Sequence, residues 1–292
     1  MKKRVISAAL MIAVMLLCMF LSPVTRSLFL GAAGLLCIWE YYARLKEKGI
    51  HCTVVLMMLL LAAETILAIV GTAPEAWGIV FIAIIFLTFL SAIRNPAVGG
   101  VGAIYSLSGL VYPCLLFGAV LYIGASPLWL KTFALACLST WVCDSAAMLG
   151  GSRWGKHKLA PAVSPNKTME GLVGGMVCNG LFMLIISFVY DVILGGVSVN
   201  YFMIFIAGML CALVGLAVPA LSGIPLWVCL ATCLIASTMG QIGDLAESML
   251  KRMLGIKDFS NLIPGHGGMF DRADSLLFSI PTAYLFLYLA GL

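Results

Sequence analysis

The chain has 292 residues, of which 63% are hydrophobic and only 10% are charged, and its mean hydropathy is +1.12. Soluble globular proteins are roughly half apolar and about a quarter charged, so this composition excludes a soluble enzyme and predicts a polytopic membrane protein. The net charge of +5 comes from 17 Lys and Arg against 12 Asp and Glu. Such an excess is typical of cytoplasmic loops and does not indicate nucleic-acid binding.

Long apolar runs predict the membrane spans, because a helix needs roughly 20 residues to cross the hydrocarbon core. We predict an all-α, polytopic transmembrane helical bundle of about 9–10 spans, with two polar segments that form an active site at the membrane interface. In chain order the predicted spans cover residues 5–21, 27–42, 53–70, 76–93, 101–123, 127–149, 171–194, 201–220, 224–243 and 275–292.

Charged residues are concentrated in two segments of the second half of the chain. Residues 144–170 and 244–274 together hold 15 of the 29 charged side chains. An ionisable side chain at the bilayer centre costs about 2.5–3.5 kcal/mol, so such clusters next to apolar helices are functional candidates. We therefore divide the chain into N-terminal transmembrane helices, 1–125, and a catalytic transmembrane region, 126–292.

The distribution of basic residues predicts the orientation in the cell membrane. Alternate loops are basic, which places the amino terminus and the 150–170 loop in the cytoplasm. Three full spans between 171 and 243 would put the 244–274 segment on the opposite side. Two interpretations remain open: one apolar run is broken or re-entrant near Pro219, Gly223 or Pro225, or the polar segment folds into a protein-lined cavity.

The first polar segment offers a carboxylate and an anion site. Asp144 follows an apolar run, as Asp244 does later, so both are predicted to end apolar helices at the polar boundary. Ser164 is predicted to cap a helix whose first residue is Pro165, and such a helix end beside Lys167 suits a phosphate. The alternative is a simple capped helix without a ligand.

The second polar segment combines acids, cations and glycines. Asp244 and Lys251 lie seven residues apart on one helix face, although an ordinary Glu247–Lys251 pair is an alternative. Glycines around His266 let the backbone approach an anion. Asp271 begins the last apolar helix and is interpreted either as an N-cap or as a magnesium ligand.

The second segment resembles a known signature. Residues 248–274 resemble the motif of the CDP-diacylglycerol synthases, also called phosphatidate cytidylyltransferases, on Ser248-Met249-Leu250-Lys251-Arg252, Lys257-Asp258 and Ile263-Pro264-Gly265-His266-Gly267-Gly268-Met269-Phe270-Asp271-Arg272-Ala273-Asp274. Asp144, the stretch 150–156 and the stretch 164–171 are similar to the other motif of that family. Ala273 departs from the larger apolar residue usual there, at a position without a chemical role.

The resemblance implies transfer of CMP from CTP to phosphatidic acid, which gives CDP-diacylglycerol and pyrophosphate for phospholipid biosynthesis. On this basis the expected magnesium ligands are Asp144, Asp244 and Asp271, and Lys251 joins them as a catalytic residue. A second cation is left open. The expected substrate-binding residues are Ser164, Lys167, Arg252, Lys257, His266, Gly267, Gly268 and Arg272.

Two other functions stay open at this point. A CTP-dependent kinase of a membrane alcohol, such as a polyprenol or phytol, would use similar residues. A secondary transporter would also explain the composition, but it would spread its charges through the spans. The expected partners are CTP, phosphatidic acid and the lipid bilayer, without nucleic acid. A homodimer stays open.

Overall fold

The computed structural model describes residues 13–188, 224–263 and 267–292, and this part of the chain is mostly helical. Residues 13–21 are helical, and the helices that follow are α1 (Pro23–Glu47), α2 (Val54–Val70), α3 (Pro74–Arg94), α4 (Gly99–Ala125), α5 (Trp129–Trp154), α6 (Met169–Phe188), α7 (Leu226–Leu254) and α8 (Phe270–Leu289). Two short strands, β1 (Lys158–Ala160) and β2 (Ser164–Thr168), form an antiparallel hairpin.

Five of these helices, α1, α3, α4, α5 and α7, are long and apolar enough to cross a membrane. The predicted all-α, polytopic membrane fold is confirmed. Each predicted span from 27–42 to 171–194, and the spans 224–243 and 275–292, coincides with a helix as far as the structure describes it. The predicted span 201–220 lies outside the described residues, as do the first residues of the span 5–21.

The chain forms two compact units. The first unit contains Met1–Ser126 and Leu250–Ala273, and the second contains Pro127–Met249 and Asp274–Leu292. The end of α7 and the start of α8 therefore belong to the first unit. The predicted division at residue 125 into N-terminal helices and a catalytic region stays a prediction about function.

The first unit is built on α1, α2 and α4, which pack against one another. Helix α1 begins at Pro23 because Ser22 and Thr25 exchange side-chain to backbone hydrogen bonds in a capping box. The helices bury a common apolar core of Tyr41, Leu45, Met57, Leu60, Leu61 and Leu121. Helix α3 buries only Ile84 and Thr88, so most of its apolar surface is suited to lipid.

Helix α4 contains a π-helical stretch at Leu110–Leu115. Pro113 lies inside this stretch, and proline has no N–H for an α-helical hydrogen bond. A wider turn accommodates the proline without ending the helix. Leu110, Pro113 and Cys114 are buried, so the wide turn contributes three residues to the packed side of α4.

The second unit rests on close packing between α5 and α6. A Cβ atom added at Gly171 or Gly175 would lie 2.7 Å from a carbonyl oxygen of α5, that of Ala147 or Cys143. Glycines at these positions therefore let the two backbones approach closely. The core of this unit consists of Leu135, Leu138, Met183, Val228, Cys229, Cys233 and Leu287.

Two predictions about helix ends are wrong. Asp144 and Asp244 do not end their helices, because α5 continues to Trp154 and α7 continues to Leu254. Neither acid is followed at once by a glycine or proline stop signal, so the helices extend beyond their apolar windows. Both carboxylates consequently lie within helices, where the backbone fixes their direction.

The predicted helix start at Ser164 is also wrong. Ser164 belongs to β2, and α6 begins at Met169. A proline disfavours the α conformation of the residue before it, here Ser164. Ser164 is extended instead and pairs with Ala160 in the hairpin. Thr168 is the cap, since its Oγ1 accepts the N–H of Gly171 at 3.1 Å.

Candidate active site

Asp244 of α7 lies at the centre of the first group of polar side chains, which we call the Asp244 cluster: Asp144, Lys167, Gln241, Asp244, Glu247 and Asp274. The Lys167 ammonium lies 2.5 Å from Asp244 Oδ2 and donates to Gln241 Oε1 at 2.9 Å. Gln241 donates in turn to Asp144 Oδ1. The structure thus brings together two of the expected magnesium ligands, Asp144 and Asp244, with Lys167, an expected substrate-binding residue.

Three acids of this cluster form a candidate metal site. Asp244, Glu247 and Asp274 each place one ligand atom within 4.8 Å of the others. Glu247 is fully buried and the other two are partly buried. Like charges this close disfavour ionisation unless a cation offsets them, and carboxylate oxygens are the ligands that Mg²⁺ prefers. The donor set therefore fits a hard divalent cation.

Asp271 is the centre of a second group, in the first unit. Its Oδ1 lies 2.6 Å from the Lys251 ammonium, and its Oδ2 accepts the N–H groups of Phe259 at 3.0 Å and Gly268 at 2.7 Å. The Asp271 side chain is only 2% exposed. We call Lys251, Phe259, Gly268 and Asp271 the Asp271 cluster. Its donors already compensate the buried carboxylate, and a metal role for Asp271 stays a prediction.

Gly267 and Gly268 of the motif make room for carboxylates. Gly267 has a φ of +86°, and a Cβ there would lie 2.9 Å from Asp271 Oδ2. A Cβ at Gly268 would lie 2.5 Å from Oε2 of Glu40. Any larger residue at Gly268 would displace the Glu40 side chain, so this glycine is required by a close approach.

Comparison with known proteins gives the family. The sequence model of the cytidylyltransferase family matches residues 2–290, which is nearly the whole chain. The chain belongs to the cytidylyltransferase family. The family to which the sequence motif pointed is confirmed.

Curated members of this family include proteins named phosphatidate cytidylyltransferase. Those of Staphylococcus saprophyticus and Staphylococcus haemolyticus are 36% and 35% identical to this chain over 152 residues, which are 52% of this chain and 47% of each relative. The protein of Staphylococcus epidermidis is 34% identical over 158 residues, which are 54% and 49%. The chain spans about half the length of the curated relatives it matches.

Five residues predicted to bind substrate lie outside the two clusters of this cytidylyltransferase family member or outside the described residues. Arg252, Lys257 and Arg272 have exposed side chains, and Ser164 is half-buried in β2. His266 lies outside the described residues. The substrate contacts predicted for these five residues stay predictions.

Sequence reasoning missed one side chain of the Asp244 cluster and one that lies beside the Asp271 cluster. Gln241 links Asp144 to Lys167, and buried Glu40 of α1 contacts the segment next to Asp271. Glu40 is the one acid inside the predicted span 27–42, and an acid within a span is itself a functional signal. Glu247 and Asp274 were noticed, but the predicted metal ligands did not include them.

Proposed function

We propose that this chain transfers CMP from CTP to phosphatidic acid, making CDP-diacylglycerol and pyrophosphate. The observation that carries the proposal is the Asp244 cluster, in which a lysine and a group of acids meet in a membrane protein of the cytidylyltransferase family. The names of the staphylococcal relatives support phosphatidic acid as the acceptor.

The reaction joins two anions, which repel each other. Cationic side chains are needed to lower this repulsion. A phosphate oxygen of phosphatidic acid attacks the α-phosphorus of CTP, a new P–O–P linkage forms, and the bond to the β-phosphate breaks to release pyrophosphate. Cationic side chains lower the repulsion and hold the groups in line. Lys167, bound to Asp244 and Gln241, is oriented for this purpose.

A divalent cation is part of the proposal, with Asp244, Glu247 and Asp274 as the residues that would hold it. Bound there, magnesium would offset the negative charge of the triphosphate. Asp144 is linked to the same cluster through Gln241, and its predicted role as a ligand is retained here as a proposal. Lys251, Arg252, Lys257 and Arg272 are proposed to bind phosphate groups of the substrates.

The position of the label in CTP tests the function. Purified protein is incubated in detergent with phosphatidic acid, magnesium and CTP that carries ³²P at the α- or the γ-phosphate. We expect the α-label in the lipid product and the γ-label in pyrophosphate. A parallel reaction contains a polyprenol in place of phosphatidic acid. Transfer of the γ-label to the polyprenol would identify a lipid kinase and overturn the proposal, as would the absence of labelled lipid with phosphatidic acid.

The proposed reaction also requires that CTP reach the polar segments from the cytoplasm. Single cysteines replacing Lys158 and Asn261, both exposed, are introduced into a cysteine-free background. We expect an impermeant thiol reagent to label both positions only from the cytoplasmic side. Labelling of the Asn261 position from outside would contradict access of cytoplasmic CTP to the segment 244–274.

A further inference from the structure

Glu40 of α1 reaches a part of the chain more than two hundred residues away. Its Oε1 accepts the Ser260 hydroxyl at 2.6 Å and the N–H of Met269 at 3.0 Å, and its Oε2 accepts the N–H of Phe270 at 2.9 Å. The side chain is 4% exposed. Burial of an ionised carboxylate costs free energy unless hydrogen-bond donors replace water, and here three donors do so.

Two of these donors belong to the start of α8. Phe270 is the first residue of the helix and Met269 precedes it. The first N–H groups of a helix have no partner within it, and the helix dipole favours a negative charge beside them. Glu40 therefore caps α8 from another helix of the same unit.

The neighbouring turn of α1 holds the same segment by a second contact. Arg44 lies one turn after Glu40, and its Nε donates to the carbonyl oxygen of Phe259 at 2.5 Å. The N–H of Phe259 is bound by Asp271. One face of α1 thus binds the backbone of residue 259 and of residues 269–270, and both stretches contact or adjoin Asp271.

We propose that Glu40 is a positioning residue for the cytidylyltransferase reaction, acting through Ser260, Met269 and Phe270 on the neighbouring Asp271 and on Lys251. This inference rests on the proposed function, in which Lys251 binds a phosphate group. Glu40 does not need to contact substrate. It fixes the backbone that presents Asp271, and Asp271 directs the Lys251 ammonium at 2.6 Å. The close approach at Gly268 belongs to the same arrangement, since only glycine leaves room for the Glu40 carboxylate.

The test compares Glu40→Gln with Glu75→Gln, a matched change at an exposed acid of α3 in the same unit. Glutamine has the size of glutamate but only one acceptor oxygen. In either orientation of its amide, the N–H of Met269 or Phe270 faces an NH₂ group and loses its acceptor. We expect kcat to fall by roughly 10- to 100-fold, with the KM for CTP changed less than about threefold, because positioning and not binding is lost.

Amide hydrogen exchange provides a readout that does not depend on activity. In Glu40→Gln the amides of Met269 and Phe270 should exchange faster, while those of α2 keep the exchange rates of the wild type. Faster exchange throughout the first unit would show that Glu40 only stabilises the fold, and would overturn the proposal. Wild-type kcat in the variant, or unchanged exchange at Met269 and Phe270, would overturn it as well.

A second variant keeps the test decisive if Glu40→Gln does not fold. Ser260→Ala removes one donor to Glu40 and leaves both backbone contacts, so a smaller fall in kcat, about 3- to 10-fold, is expected. An unchanged kcat in Ser260→Ala would then overturn the proposal. If the wild-type protein makes no CDP-diacylglycerol, the proposed function fails, and the exchange experiment still decides whether Glu40 positions the segment.

Discussion

The Asp244 cluster and the Asp271 cluster use aspartate in opposite ways. Asp244 lies among other acids, Glu247 and Asp274, and beside the partly exposed Lys167. Asp271 is 2% exposed and is surrounded by donors, two backbone N–H groups and Lys251. The acids around Asp244 can bind a cation, whereas the donors around Asp271 already compensate the charge of its carboxylate. Within the polar segment 244–274, the same residue type therefore supports a candidate metal site in one cluster and backbone organisation in the other.

The largest effect is expected from Asp244→Asn, which keeps the size of the side chain and removes its charge. The remaining acids would hold a divalent cation less well, and Lys167 would lose its partner. We expect kcat/KM for CTP to fall roughly 1,000-fold, or about 4 kcal/mol, and the magnesium requirement to rise. Magnesium titration of activity measures this, with Glu75→Gln as the control. An unchanged magnesium requirement would contradict a metal site in the Asp244 cluster.

Asp271→Asn sharpens the comparison, because the two roles of this residue predict different results. Asparagine still accepts a backbone N–H, but the Lys251 ammonium, 14% exposed, would lose its contact with the Asp271 carboxylate. We expect the free energy of unfolding to fall by about 3 kcal/mol, with activity reduced and the magnesium requirement unchanged. Thermal unfolding in detergent and magnesium titration are measured together. A stable variant with a raised magnesium requirement would instead establish Asp271 as a metal ligand.

Lys167→Ala tests the cation of the Asp244 cluster. The lysine contacts Asp244 and Gln241 and is 21% exposed, so it can reach a phosphate at modest cost. Loss of one charge-assisted hydrogen bond should cost about 1.5–3 kcal/mol, seen as a higher KM for CTP or a lower kcat. Lys158→Ala, which changes an exposed lysine of the same hairpin, should leave both constants unchanged. Equal kinetics in the two variants would leave Lys167 without a role in substrate binding.

The smallest effect is expected from Thr168→Ala, which removes the helix cap next to Lys167 and leaves the charge of Lys167 unchanged. Thr168 caps α6 through the N–H of Gly171, and losing such a cap costs about 1 kcal/mol. The unfolding temperature should fall by a few degrees. Thr168→Ser, which keeps the hydroxyl, should unfold at nearly the wild-type temperature. A similar loss in both variants would mean that the Thr168 methyl group, and not the cap, stabilises this helix start.

The sequence predicted the membrane fold because hydrophobic runs of helical length carry that information locally. It also singled out Asp144, Lys167, Asp244 and Lys251, since charges beside apolar helices are conspicuous. The partners of these residues were not predicted. Lys251 pairs with Asp271, twenty residues along the chain, and a contact of this kind depends on how the loop between them folds.

Errors in the predicted site came from local rules that the tertiary structure overrode. The pair Ser164-Pro165 has the pattern of a helix start, but pairing in the hairpin holds it extended. Glu40 was missed because no motif surrounds it, and its partners lie beyond residue 259. Gln241 was missed because the sequence around an amide in an apolar helix does not show which side chains the amide contacts.

The π-helical stretch of α4 holds one residue more than an α-helical turn needs. A π-helical turn closes its hydrogen bonds over five residues and an α-helical turn over four, so deleting Pro113 would allow the stretch Leu110–Leu115 to become α-helical. Phe117, Val120 and Leu121, now buried, would then keep the side that they present to their neighbours. Deleting one residue within Leu116–Ala125 should harm folding more, because an α-helix turns about 100° per residue and the residues that follow would change side.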